Sequence, residues 1–158
     1  MRPTWIEISL DNLRHNFDVV QRQVGNGVIV CAVAKADGYG HGAVECARVL
    51  EDQGARWIGV TSLDEAVPLR DAGIQARILL MTGFIPGEEE EVVRLGLTPT
   101  VWESGQVERL EKGVCAGIWK TDRLTGVCAV RVFRYAQWDE GEPMDKDFGM
   151  ARVPSLSQ

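Results

Sequence analysis

The chain has 158 residues, of which 45% are hydrophobic and 25% charged, and its formal net charge is −6. This acidic balance disfavours a nucleic-acid partner, and no apolar stretch approaches the roughly 20 residues of a membrane-spanning helix. The N-terminal residues lack the apolar core of a signal peptide, and the cysteines lie far apart with no CxxC pair. These features predict a cytoplasmic protein with reduced core thiols and no metal site. The cysteines are Cys31, Cys46, Cys115 and Cys128.

A first helix is predicted from an apolar stripe at helical spacing between Leu10 and Val24, with Asp11 as its cap and Gly25 at its end. The run VIVCAV follows at residues 28–33. It is apolar throughout and rich in β-branched residues, which is typical of a parallel strand buried on both faces.

Strand and helix patterns then alternate as far as residue 102. Further strands are predicted over 57–60, 77–81 and 98–102, helices over 43–51, 64–72 and 88–95, and one later strand over 127–133. Successive strands begin roughly 20 to 30 residues apart, the spacing of βα units with right-handed crossovers. The pattern predicts an α/β fold with a parallel sheet. It leaves open whether that sheet closes into a barrel, and the chain is shorter than the roughly 250 residues of a complete (β/α)8 barrel.

The segment AVAKADGYGHG, residues 32–42, carries the chemically informative pattern. It places Lys35 just after the carboxyl end of a predicted strand, where α/β folds bind ligands. The glycines that follow allow the backbone to approach a ligand closely, and the helix N-terminus after them suits an anion. Partial burial at such a place favours the neutral amine that attacks a carbonyl group.

Three interpretations fit this pattern: a surface lysine beside a flexible turn, a dinucleotide-binding loop, and a lysine that binds pyridoxal phosphate. The glycines at 38, 40 and 42 form GxGxG rather than GxGxxG. Asp64 is a poor match for the acidic residue expected after the second strand of a dinucleotide-binding unit. Spacing alone does not decide between the surface lysine and the cofactor lysine.

AVAKADGYGHG resembles the cofactor-lysine signature of the alanine racemase family, AVVKANAYGHG in its common form. Three flanking segments resemble that family's opening segment, second crossover helix and third strand: TWIEISLDNLRHN at 4–16, SLDEAVPLRDAGI at 62–74 and ILLMTGF at 78–84. The resemblance implies the N-terminal half of a (β/α)8 barrel that binds pyridoxal 5'-phosphate. It further implies a homodimeric family that interconverts L- and D-alanine for cell-wall peptidoglycan.

The resemblance also assigns roles to four residues. Lys35 would form a Schiff base with the cofactor and transfer the α-proton on one face of the amino acid, while Tyr39 would hydrogen-bond the cofactor phosphate. Met81 is a candidate for lining the cofactor pocket, and core packing explains it equally well. Arg152, in DFGMAR, is the candidate for an arginine beside the cofactor, although Phe148 replaces the threonine usual there and the register is shifted.

By this resemblance residues 1–111 form the N-terminal part of the barrel, and 112–158 form a tail that is divergent or read in a shifted frame. The family's remaining strands and its C-terminal β-domain, which carries the base for the opposite face, do not fit in 158 residues. We therefore expect this chain alone to fold poorly and to show negligible turnover. A non-catalytic cofactor-binding fragment and a barrel racemase for another amino acid, such as serine, are the alternatives.

Overall fold

The computed structural model describes residues 4–25 and 27–113, together with the backbone of residues 133–134. The described residues fall into two compact units, one formed by residues up to 60 with 64–78, the other by 61–63 with residues from 79 onward. The elements follow one another in this order: α1 (Leu10–Val24), β1 (Cys31–Val33), α2 (Lys35–Gly40), α3 (Ala43–Asp52), β2 (Trp57–Val60), α4 (Leu63–Asp71), β3 (Arg77–Leu80), α5 (Glu89–Arg94), β4 (Thr98–Val101), α6 (Ser104–Gly113) and β5 (Phe133–Arg134).

The first unit contains β1, β2 and the start of β3, in that order across the sheet. β1 and β2 pair in parallel, with Cys31 opposite Trp57 and Val33 opposite Gly59. Apolar side chains from the strands and from the inner faces of the helices form its core, because burying them removes apolar surface from water. Its most buried members are Ala47, Ile58, Val60, Ala66, Leu69 and Ile78.

The second unit contains the end of β3, then β4 and β5, again all parallel. Leu79 pairs with Thr98 in this sheet. α5 and α6 pack against each other, and an arginine on α6 links them. Arg109 lies 3.1 Å from Glu89 at the start of α5 and 3.3 Å from Glu103 just before α6. A partly buried pair of this kind fixes the relative placement of two short helices that have little propensity to form alone.

These parallel strands joined by helices confirm the predicted α/β class. The predicted strand at 57–60 agrees with β2, and the bounds of the other elements between residues 43 and 102 agree within one residue. No helix within the described ranges combines the length and the apolar character that crossing a membrane requires.

The predicted cap of α1 and the predicted first strand were wrong in detail. Ser9, not Asp11, caps α1 by accepting a hydrogen bond from Asn12 N–H at 3.2 Å. Asp11 lies in the first turn, where it pairs with Arg14 at 2.7 Å. Both residue types cap helices well, and the extended backbone at position 9 decides between them.

The strand predicted over 28–33 is shorter and more exposed than expected. β1 covers only Cys31–Val33, and both end residues of the strand are exposed. β1 is the edge strand of the described sheet, so burial on both faces does not follow from its composition. Helix α6 was not predicted, and of the strand predicted over 127–133 all but residue 133 lies outside the described residues.

A glycine after β3 allows that strand's end to approach β4. Gly83 has φ +74°, and a Cβ placed on it would lie 2.7 Å from the carbonyl oxygen of Thr100 and 3.1 Å from the ring of Trp102. Gly87 also has a positive φ, +99°, but a Cβ there would meet no atom within 4 Å. The two positions therefore separate steric overlap from backbone strain.

We expect Gly83→Ala to lower the free energy of unfolding by about 3 kcal/mol, because it adds a clash with β4 to the strain of a positive φ. Gly87→Ala carries the strain alone and should cost about 1 to 2 kcal/mol. Urea denaturation followed by circular dichroism measures both. Equal losses for the two variants would show that the approach of Gly83 to β4 contributes nothing.

Candidate functional site

Lys35 begins the short element α2, which is a turn of left-handed backbone at the carboxyl end of β1. Residues 36–39 have φ between +50° and +62° and ψ between +36° and +50°. Glycine reaches this region freely, but Ala36, Asp37 and Tyr39 adopt it at a cost of about 1 to 2 kcal/mol each. Because this conformational cost is repeated at neighbouring positions, the turn must be stabilised by contacts with other parts of the chain.

Hydrogen bonds to the start of α3 provide part of that restraint. The Asp37 side chain accepts a hydrogen bond from Ala43 N–H at 2.8 Å and so caps α3 from six residues away. The Asp37 carbonyl accepts from Gly42 N–H at 2.9 Å. The ring Nδ1 of His41 lies 2.9 Å from the carbonyl oxygen of Gly38, so this nitrogen carries the proton and donates it. The imidazole is thereby engaged within the turn.

Two other elements of the first unit also contact the turn. Ala34, which is 2% exposed, donates its N–H to the carbonyl oxygen of Gly59 in β2 at 2.8 Å. Glu65, in the first turn of α4, accepts a hydrogen bond from Ala36 N–H at 2.7 Å. The backbone on both sides of Lys35 is therefore tied to neighbouring secondary structure.

The side chains of Lys35 and Tyr39 come together on this turn. The Lys35 Nζ lies 5.9 Å from the centroid of the Tyr39 ring, within the range of a cation–π contact. Lys35 is half-buried, whereas Tyr39 is 60% exposed. An amine and a phenol thus lie side by side and accessible to a ligand.

The buried face of the turn packs against α3. Gly38 is buried, and a Cβ there would lie 3.4 Å from the backbone nitrogen of Ala43. Cys46, also buried, lies behind it, and burial, with smaller effects of Glu45 and Asp37, raises the pKa of its thiol. The thiol therefore stays protonated at neutral pH and serves as a packing group.

The other predicted site residues lie elsewhere or beyond the described residues. Met81 follows β3 in the second unit and is 37% exposed. Arg152 lies outside the residues that the structure describes. Sequence reasoning missed Asp37 and Glu65. The sequence around Glu65 did carry one signal, because Ser62 and Glu65 have the S-x-x-E spacing of a capping box. That signal predicts a glutamate that stabilises the start of α4, and it does not predict the hydrogen bond to Ala36.

Comparison with known proteins decides the family. The model of the alanine racemase N-terminal domain matches residues 8–117. The chain belongs to the alanine racemase family. This confirms the resemblance drawn from the segment around Lys35, and the match covers α1 to α6.

Relatives of known name and solved structures support the same family. An alanine racemase of Carboxydothermus hydrogenoformans is 46% identical over 102 residues, which are 64% of this chain and 27% of that protein. One from Sorangium cellulosum is 44% identical over 115 residues, 70% of this chain and 30% of that protein. The solved alanine racemase of Clostridium difficile 630 has a TM-score of 0.70 at 33% identity, covering 73% of this chain and 31% of that one.

The chain therefore spans less than a third of the length of these alanine racemases. Its parallel strands and connecting helices correspond to part of the family's barrel domain, which confirms the predicted fold class.

We expect Asp37→Ala to destabilise the protein by about 1 to 2 kcal/mol, because it removes the cap of α3 and leaves the Ala43 N–H without its acceptor. Asp52, at the other end of α3, is exposed. Asp52→Ala removes a carboxylate from the negative end of the helix dipole and should raise stability by about 0.5 kcal/mol. Urea denaturation measures both variants, and an Asp37→Ala variant as stable as the unsubstituted chain would contradict the capping role.

Proposed function

We propose that this chain supplies Lys35 and Tyr39 to a pyridoxal phosphate-dependent alanine racemase that interconverts L- and D-alanine. The observation that carries the proposal is the Lys35 amine beside the Tyr39 ring, on a turn at the carboxyl end of a parallel strand, in a chain of this family. D-alanine supply for the bacterial cell wall, a cytoplasmic location and a homodimeric assembly belong to the same proposal.

The residues of the turn fit this cofactor. Pyridoxal phosphate needs a primary amine for its aldehyde and hydrogen-bond donors for its phosphate. Lys35 provides the amine, and the exposed Tyr39 provides a hydroxyl group a few residues away on the same turn. When bound, the cofactor supplies the electron sink that stabilises the carbanion formed at the α-carbon of an amino acid.

Lys35 acts in two ways in this proposal. Its Nζ would attach the cofactor through the aldehyde carbon, with loss of water, and would be freed as an amine when the amino group of alanine takes its place. The free amine would then take the α-proton from one face of alanine, or deliver it to that face in the reverse direction, while a second group serves the opposite face. Tyr39 Oη donates a hydrogen bond to a phosphate oxygen. Because the backbone of residues 36–39 is held in one conformation, the Cα atoms that carry the amine and the hydroxyl keep their relative positions, which reduces the entropy lost when the cofactor binds.

Two further residues and the division of the chain enter the proposal from the sequence. By the family resemblance, Met81 would be a residue of the cofactor pocket and Arg152 the counterpart of the family's arginine beside the cofactor. In the same way, residues 1–111 would be the N-terminal part of the barrel, which carries the lysine, and residues 112–158 the divergent tail.

A second candidate function is binding of the cofactor without racemisation. Racemisation needs a proton carrier on each face of the substrate, and among the described residues we assign this role to Lys35 alone. A racemase acting on another amino acid, such as serine, uses the same Lys35 chemistry and differs in residues that contact the substrate side chain.

We expect borohydride reduction in the presence of pyridoxal phosphate to label Lys35 at least tenfold more than Lys112. The reason is that the proposed site holds the cofactor next to the Lys35 amine, whereas Lys112 is an exposed lysine on α6 that meets the cofactor only from solution. Mass spectrometry of peptides from the 158-residue chain gives the ratio. Lys35→Arg should abolish the selective label and Lys112→Arg should leave it intact. Equal labelling of the two lysines would contradict the cofactor site.

Tyr39→Phe should weaken cofactor binding about tenfold, the loss expected for one hydrogen bond to a charged acceptor, without changing which lysine is labelled. The dissociation constant is measured by the absorbance of the cofactor on titration. Racemisation of L-alanine, followed by its optical rotation with the loaded chain, separates the two candidate functions. Turnover by the loaded chain would exclude cofactor binding without racemisation, whereas a labelled but inactive protein agrees with both candidates, because we expect negligible turnover from this chain alone.

A further inference from the structure

We propose that Glu65 is a positioning residue for Lys35, and this inference rests on the function proposed above. The Glu65 carboxylate holds the peptide group between Lys35 and Ala36, and so directs the lysine side chain towards its ligand. Glu65 acts through the backbone rather than by touching the cofactor.

The contact joins two elements that are distant in sequence. Glu65 Oε1 accepts a hydrogen bond from Ala36 N–H at 2.7 Å, across 29 residues of chain. Glu65 is half-buried in the first turn of α4, and Ala66 and Leu69 of the same helix are completely buried. The helix that carries the carboxylate is therefore anchored in the core of the first unit, which gives the acceptor a fixed position.

The N–H group of Ala36, which donates to Glu65, lies at the start of the turn. The first N–H groups of a helical turn have no acceptor within it, and Ala36 N–H is one of these. The bonds closing the turn begin later, with Gly38 N–H donating to the carbonyl oxygen of Ala34 at 3.0 Å. A charged acceptor from α4 therefore satisfies a donor that the left-handed turn leaves open.

This bond bears directly on the direction of the lysine side chain. Ala36 N–H belongs to the peptide plane that follows Lys35, and the orientation of that plane defines ψ of Lys35. Ala36 has φ +50° and ψ +50°, a conformation that alanine disfavours. Without the acceptor, the plane is released towards the right-handed or extended conformations, and the Lys35 Nζ moves with it. An amine that samples several positions reacts less selectively with a bound aldehyde.

A local role for Glu65 makes different predictions. As the fourth residue of a capping box it would stabilise the start of α4, and its removal would lower overall stability without a specific effect on Lys35. Asp64 is the matched control, because it is an exposed acidic residue in the same first turn of α4. Asp64→Ala removes the same charge near the same helix N-terminus and leaves the bond to Ala36 intact.

The experiment uses the full 158-residue chain and two readouts for Glu65→Ala, Glu65→Gln and Asp64→Ala. Hydrogen exchange of the Ala36 amide, followed by nuclear magnetic resonance without cofactor, reports the bond itself. The ratio of Lys35 to Lys112 labelling by pyridoxal phosphate and borohydride reports the position of the amine. We expect Glu65→Ala to speed Ala36 exchange about tenfold and to lower the labelling ratio about tenfold.

Glu65→Gln keeps an acceptor oxygen without its charge, so we expect changes of about threefold, and Asp64→Ala should match the unsubstituted chain in both readouts. Wild-type exchange and labelling in Glu65→Ala would overturn the inference. If Glu65→Ala loses its helical circular dichroism, Glu65→Gln decides. If the unsubstituted chain shows no selective label, the proposed function fails, and exchange of Ala36 still shows whether Glu65 holds this peptide group.

Discussion

The candidate site depends on one constraint, a left-handed backbone kept over four consecutive residues, three of which carry side chains. The φ values of Ala36, Asp37 and Tyr39 are +50°, +52° and +57°. Such a turn persists only when its surroundings over-determine it. Here α3, β2 and α4 each contribute a hydrogen bond, and Gly38 allows the turn to lie against α3. The position of the lysine amine is the product of these contacts.

The regular elements could be predicted from sequence because their signal is the repetition of apolar residues. The features that failed depend on neighbours that a linear pattern does not contain. The run at residues 28–33 has the composition of a buried strand, yet its burial depends on what covers it, and Val28 and Ile29 are 57% and 65% exposed. The cap of α1 failed for another reason, since Ser9 and Asp11 are both good caps and only backbone geometry distinguishes them.

At the site, the sequence predicted the residues whose side chains carry chemistry and missed those that hold the backbone. Lys35 and Tyr39 belong to a motif that resembles a known family's, so their types and spacing identified them. Asp37 and Glu65 accept from backbone N–H groups six and 29 residues away. Every residue except proline carries a backbone N–H donor, so the sequence does not distinguish the donors that need a side-chain acceptor. Only the folded chain shows which acceptor each donor meets.

The left-handed turn also limits how this lysine could be transferred to another protein. An isolated peptide with the sequence of residues 32–42 lacks β2, α3 and α4, and its Ala36 and Tyr39 would return to right-handed or extended conformations. Grafting the motif onto the end of a strand in another protein would therefore transfer the sequence without the left-handed conformation of the turn. A designer would have to import the neighbouring βα unit with its glutamate, so the smallest portable piece is a pair of consecutive strand–helix units.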